Sequence, residues 1–177
     1  MAKVSGLGHV GIYVQDMDKM LDFYTRVMGL TITDGGGPGA RGVFLSAQPE
    51  REHHEFVLGV NAEKRTNAQQ ISWIVESLDG LRELYREIKD YGCEIARVVS
   101  HGIAFGCYFK DPEGNTVEVY WPTGVDYPQP VGEPIDLDRS NEELLGELRR
   151  MEPRESVTPR YYGEDAGKRL TASAAGH

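Results

Sequence analysis

The chain runs twice through one pattern of elements, and this doubling limits its possible folds more than any other feature of its 177 residues. The first pass opens with Gly8-His9-Val10-Gly11-Ile12-Tyr13-Val14, a β-branched run suited to a strand. Asp16 then caps a helical pattern carrying Met20, Leu21, Phe23, Tyr24, Val27 and Met28, which Gly29 stops. Three short strands are expected next, at 30–33, 42–47 and 54–60, with the cluster Gly35-Gly36-Gly37-Pro38-Gly39 as a loop between the first two. The second pass begins with a strand at 70–75. An amphipathic helix follows over 78–91, with Leu81, Leu84, Tyr85 and Ile88 on one stripe and Gly92 at its end. Strands at 94–99, 105–110 and 116–121 close it. Aligning His9-x4-Val14 with Gln70-x4-Val75 brings the passes into register, so the chain reads as an α+β protein of two βαβββ repeats.

With 40% hydrophobic and 27% charged residues, the composition is that of a globular protein, either one domain or two small modules sharing a core. Lys and Arg number 19 against 28 Asp and Glu, a net charge of −9. That balance offers no basic patch, which sets nucleic acid and anionic membranes aside as partners. Cys93 and Cys107 make no disulfide framework, and neither has metal-site spacing. The N-terminal residues lack the apolar core of a signal peptide and no run reaches membrane-spanning length, so a reducing cytoplasm is the expected location. After Trp121, Asp126-Tyr127-Pro128-Gln129-Pro130 reads as irregular. Ser140 with Glu143 three residues on forms a capping box for a helix over 141–150. The last residues, to His177, lack core formers and are expected to be disordered.

Chemistry concentrates in the second repeat, where the chain reads HGIAFGCYFKDPEGNTVE from His101 to Glu118. Tyr108 and Glu118 lie on either side of the turn Asp111-Pro112-Glu113-Gly114, an arrangement that lets a hairpin bring both side chains over one surface. A carboxylate inside the apolar run Thr116-Val117-Glu118-Val119-Tyr120-Trp121 is costly to bury unless it is paired or bound to a cation. The order His-Tyr-(Asp-Pro-x-Gly)-Glu resembles the signature of type I extradiol ring-cleavage dioxygenases in the vicinal oxygen chelate superfamily. Cys107 stands where that family has an aliphatic residue. The resemblance covers about residues 6–137, with repeat one at about 6–62 and repeat two at about 68–122. It leaves 138–177 as a C-terminal extension, and it implies that the repeats form a cupped half-barrel around a metal.

In that family four positions face the metal, one on the first and one on the last strand of each repeat. Read onto this sequence they are His9, His54, Gln70 and Glu118. The resemblance implies His9 and Glu118 as metal ligands and His54 as an acid–base group beside the substrate. The position of Gln70 holds the second histidine ligand in the family, so Gln69-Gln70 is a departure. Either Gln70 binds through its amide oxygen, or His54 turns inward and completes a His-His-Glu triad. Strand alternation would send His53 outward with Glu55 and His54 inward with Phe56 and Leu58. Further implied are Fe(II), or Mn(II), a catechol or related vicinal dihydroxy aromatic with O2 as co-substrate, and substrate hydrogen bonds from His101 and Tyr108. A homo-oligomer is also expected. Two other activities fit the same fold, a metal-dependent lyase or isomerase and a non-catalytic protein that binds aromatic ligands. A histidine after glycine on a strand is more often a satisfied core residue than a ligand. His9 gains weight from its register and from Glu118.

Overall fold

The computed structural model describes residues 8–35, 42–63, 65, 68–125, 127 and 131–151. The middle of the glycine cluster, most of the 126–130 segment and the tail beyond Met151 lie outside the described residues. Two compact units emerge. The first holds residues up to Gln69 together with Asp111–Asn115; the second holds Gln70–Lys110 and the chain from Thr116 onward.

In the first unit, β1 (Val10–Val14) is followed by α1 (Met17–Asp22), a π-helical turn (Phe23–Val27), β2 (Thr31–Gly35), β3 (Gly42–Ser46) and β4 (Phe56–Val60). The strands form one sheet in the order β1-β4-β3-β2, with β1 and β4 parallel and the others antiparallel. Asp16 caps α1 as expected, its carboxylate accepting from the Lys19 N–H. The single helix expected as far as Met28 instead widens at Phe23, where the Met28 N–H reaches back to the Phe23 carbonyl. This widening lets two adjacent aromatics, Phe23 and Tyr24, both be fully buried. Each such side chain contributes roughly 2–3 kcal/mol of burial. The turn Asp111–Asn115 completes the unit: the Tyr24 hydroxyl donates to Asp111 at 3.0 Å. The Glu113 carboxylate accepts from the backbone N–H groups of Gln15 at 2.7 Å and Asp16 at 2.6 Å, where α1 begins.

The second unit repeats the plan with β5 (Ile71–Ile74), α2 (Leu78–Tyr91), β6 (Ile95–Ser100), β7 (Ala104–Lys110) and β8 (Thr116–Pro122). Its sheet has the same order, β5-β8-β7-β6, extended by the short β9 (Glu133–Pro134) on the edge of β6. Ser77 caps α2, and Gly92 ends it in the left-handed conformation at φ 91°. The helix α3 (Asn141–Arg150) starts with the expected Ser140–Glu143 capping box. Arg82 on α2 donates to the Leu137 carbonyl at 3.0 Å and to Asn141 at 2.9 Å, tying α3 to α2 over the buried Leu137 and Leu144.

The repeats agree in fine detail. Each carries a β-bulge on the strand before its central hairpin partner, between Ile32 and Asp34 in β2 and between Ile95 and Arg97 in β6. The α+β reading with two βαβββ repeats therefore holds, with mixed sheets of four and five strands. Among the described residues, no helix is long and apolar enough to cross a membrane.

Candidate active site

Alternation along the strands of the second unit divides its sheet into two faces. Phe105, Cys107 and Phe109 with Val117, Val119 and Trp121 supply the buried apolar face. On the opposite face the register aligns one polar residue from each of four neighbouring strands: Ser72 on β5, Glu118 on β8, Tyr108 on β7 and Arg97 on β6. The hairpin thus places Tyr108 opposite Glu118, as their spacing around the turn predicts.

Glu118 is only 6% exposed, and neutral donors satisfy its carboxylate. Ser72 donates its hydroxyl to Oε2 at 2.6 Å, and the Gln70 amide nitrogen donates to the same oxygen at 3.3 Å and to Ser72 at 3.0 Å. The other oxygen rests against Gly106, where a Cβ would lie 2.7 Å from Oε1. Buried carboxylates need such partners, since an unpaired one costs several kcal/mol.

Tyr108 joins this carboxylate to His101. His101 Nδ1 lies 2.5 Å from the Val131 carbonyl, an acceptor only, so Nδ1 carries a proton. In the neutral ring Nε2 is then the lone-pair nitrogen, and it stands 3.1 Å from the Tyr108 hydroxyl. Burial, followed by the hydrogen bond and the negative charge of Glu118, pushes the phenol pKa up to about 12. The Arg97 guanidinium, 3.9 Å over the Tyr108 ring, opposes that shift. On the apolar face, burial and the charge of Glu118 raise the Cys107 thiol to about 12, leaving it inert at neutral pH.

The first unit brings together its own pair of expected site residues. The His9 and His54 rings lie 4.5 Å apart, centre to centre, and Phe44 packs edge-on to His54 at 4.8 Å. Neither histidine is a strand residue: His9 precedes β1 by one position and His54 precedes β4 by two. Alternation therefore does not separate His53 from His54, whose Nδ1 atoms meet at 2.8 Å. The expectation that His53 turns away from its neighbour is corrected accordingly. A second correction concerns repeat position. Gly11 pairs with Val57 as Ser72 pairs with Glu118, so Val57, not His54, is the first-repeat counterpart of Glu118. Gln70 likewise lies one residue before β5, matching His9 before β1.

A metal–nitrogen bond of about 2.0–2.1 Å puts each imidazole centre about 3.2 Å from an ion, and two such rings at about 90–110° stand about 4.5–5.2 Å apart. His9 and His54 meet that condition. If His54 Nδ1 donates to His53, its Nε2 is left as the free donor atom, the usual arrangement for a ligating histidine. Gln70 by contrast has its amide nitrogen engaged by Ser72 and Glu118. Two imidazoles and a carboxylate are a donor set suited to Fe(II) or Mn(II). Among the described residues, no three or more His, Cys, Asp or Glu side chains gather into one metal-holding group.

Sequence reasoning missed Ser72, Gly106, Arg97 and the Val131 carbonyl. Ser72 and Gly106 were accessible through alternation, two residues from Gln70 and Tyr108 respectively; Arg97 was hidden by the bulge.

The family model for the Glyoxalase/Bleomycin resistance protein/Dioxygenase superfamily matches residues 6–119. The manganese-dependent 2,3-dihydroxybiphenyl 1,2-dioxygenase of Geobacillus genomosp. 3 is 23% identical over 123 residues, 68% of this chain and 38% of that protein. Biphenyl-2,3-diol 1,2-dioxygenase 3 of Rhodococcus globerulus is 26% identical over 121 residues, 64% of this chain and 61% of the relative. The chain thus spans less than two thirds of the length of these curated relatives. Among solved structures, a fosfomycin resistance protein from Listeria monocytogenes superposes with a TM-score of 0.54 at 18% identity, covering 68% of this chain and 96% of the other. The lactoylglutathione lyase of Agrobacterium tumefaciens gives 0.52 at 18% identity, covering 68% and 96%. These likenesses show the fold.

Proposed function

This chain belongs to the glyoxalase/bleomycin resistance protein/dioxygenase superfamily, and we propose that within it the protein is a metal-dependent ring-cleaving dioxygenase of the extradiol type. Its substrate is a catechol or related vicinal dihydroxy aromatic, with O2 as co-substrate. The observation that carries this reading is the relay from the Val131 carbonyl through His101 to the Tyr108 hydroxyl, with Tyr108 directly opposite Glu118 across the hairpin. Dioxygenase-named relatives at 23–26% identity support it.

The resemblance assigns His9 and Glu118 to the ion, with His54 as the third ligand. Within the first unit His9 and His54 lie together, and within the second Gln70 keeps its place as a donor to Glu118. An ion held there supplies the charge that ionises a catechol hydroxyl and a meeting point for substrate and oxygen. With His54 committed as a ligand, acid–base duty falls to His101. The Tyr108 phenol, whose pKa is about 12, stays protonated at neutral pH and offers its O–H to a substrate oxygen. A proton taken up at His101 Nε2 reverses the sense of the relay: His101 then donates to the phenol, and the phenol donates to Glu118 or to the substrate. The relay can therefore store the proton released when a catechol ionises.

Anaerobic reconstitution with Fe(II) or Mn(II), followed by oxygen and a panel of simple, substituted and bicyclic catechols, tests the proposal. Oxygen uptake with yellow ring-opened products is the expected result. His54→Ala should lose bound metal, whereas Gln70→Ala should retain most of it. Metal binding without oxygen uptake across the panel would return the chain to the lyase or isomerase reading. Aromatic binding without metal would make it a binding protein.

A further inference from the structure

We infer that Arg97 is an anion-recognising residue at the edge of this site, and that the aromatic substrate carries a carboxylate. The inference rests on the dioxygenase reading and narrows it to a substrate class.

Three observations lead there: the place of Arg97 in the row, its contact with the phenol, and the residue at the matching position of the first repeat. Arg97 ends the cross-strand row Ser72, Glu118, Tyr108 and Arg97, on the same face as the phenol assigned to substrate oxygens. The bulge between Ile95 and Arg97 creates that alignment. The guanidinium carbon lies 3.9 Å from the centre of the Tyr108 ring, a cation–π contact that holds this exposed side chain beside the phenol. A planar fork held in this way is suited to accept a carboxylate edge-on through two N–H bonds.

Among the described residues Arg97 forms no ion pair, which is true also of Arg51, Arg86, Arg149 and Arg150; what sets it apart is its place over the Tyr108 ring. The fold itself does not require a cation at this position. In the first repeat the matching residue after the matching bulge is Asp34, whose carboxylate accepts from the Gly35 N–H. The arginine is therefore an addition to the shared frame, placed beside the phenol. A carboxylate on the ring or on a short side chain is the group within its reach.

The test compares 3,4-dihydroxybenzoate and 3,4-dihydroxyphenylacetate with their methyl esters and with catechol, bound anaerobically to the Fe(II)-loaded full chain. In the native protein each acid should bind about tenfold or more tightly than its ester, the scale of a charged hydrogen bond. In Arg97→Gln the acid-to-ester ratio should collapse toward one, and Arg97→Lys should recover part of it. Added salt should weaken the acids more than the esters. Equal binding of acid and ester by the native protein would overturn the inference, as would an unchanged ratio in Arg97→Gln. If neutral catechols bind without any preference for charge, only the role of Arg97 falls. If no catechol binds in either form, the dioxygenase reading falls and takes this inference with it.

Discussion

Four matched positions read Gly11, Val57, Phe44 and Asp34 across the first sheet, and Ser72, Glu118, Tyr108 and Arg97 across the second. Strand order, the parallel central pair and the bulge are common to both. In the first row the three positions before the bulge residue are small, aliphatic or aromatic; in the second they are a hydroxyl, a carboxylate and a phenol. Such a row can thus be built without polar side chains before the bulge, and the second sheet adds them, burying Tyr108 and Glu118 at a desolvation cost that internal hydrogen bonds offset. The first unit places its polar groups differently. Its histidines sit at the strand entrances, before β1 and β4.

The largest expected difference between the rows lies at a matched pair of glycines, Gly42 and Gly106. A Cβ on Gly42 would meet the Leu58 carbonyl at an ordinary 3.5 Å, whereas one on Gly106 would sit 2.7 Å from the Glu118 carboxylate. Gly106→Ala should therefore cost about 1–3 kcal/mol through overpacking. It should also slow oxygen uptake about 100-fold through displacement of the carboxylate. Gly42→Ala should change stability by less than about 1 kcal/mol. Thermal unfolding and oxygen-electrode rates on both variants decide the point; equal tolerance would break the comparison.

A smaller effect is expected at the Tyr108/Phe44 pair. Tyr108→Phe should lower turnover about 10–100-fold with metal content unchanged, because the phenol is assigned to substrate oxygens. The same variant should alter alkaline unfolding. With the folded-state pKa raised from 10.0 to about 12, the native state holds a proton that the unfolded chain releases first. The stability tied to that proton is intact below about pH 10 and is lost as pH rises towards 12. Denaturant midpoints between pH 9 and 11.5 should fall more steeply for the native protein than for Tyr108→Phe. Parallel slopes would place the phenol outside the buried network.

The smallest effect belongs to Cys107, whose counterpart in the first sheet is Val43. Both are buried on the apolar face. Cys107→Val should shift stability by less than about 1.5 kcal/mol and leave turnover near native. A thiol at about pKa 12 should also escape iodoacetamide at pH 8 until the protein is unfolded. Rapid native labelling of Cys107 would show that the apolar face is open.

Local signals explain what the sequence made legible. Gly92 and the Ser140–Glu143 box mark helix ends by backbone chemistry that needs no tertiary partner, and α2 and α3 match their expected bounds. The turn after Lys110 set the hairpin register, and with it the pairing of Tyr108 and Glu118. What escaped depends on contacts made over distance. The bulge that aims Arg97 leaves no trace in the pattern 94–99. The Val131 carbonyl that fixes the His101 tautomer lies 30 residues away. The π-helical turn answers a packing demand from Phe23 and Tyr24, not a propensity. The His53–His54 pairing follows from β4 starting two residues later than its apolar pattern suggested.

The Asp111–Asn115 turn also has a consequence in time. Glu113 and Asp111 make their hydrogen bonds to Gln15, Asp16 and Tyr24 across 87–98 residues of chain. On a ribosome, a nascent chain emerging as far as Gln69 would contain every strand of the first sheet yet lack the carboxylate that closes the start of α1. The first unit should therefore reach its final stability only after residue 115 has been made, as expected for contacts of high sequence separation. Duplication supplied two similar halves. This borrowed turn makes the completion of the earlier one wait on synthesis of the later.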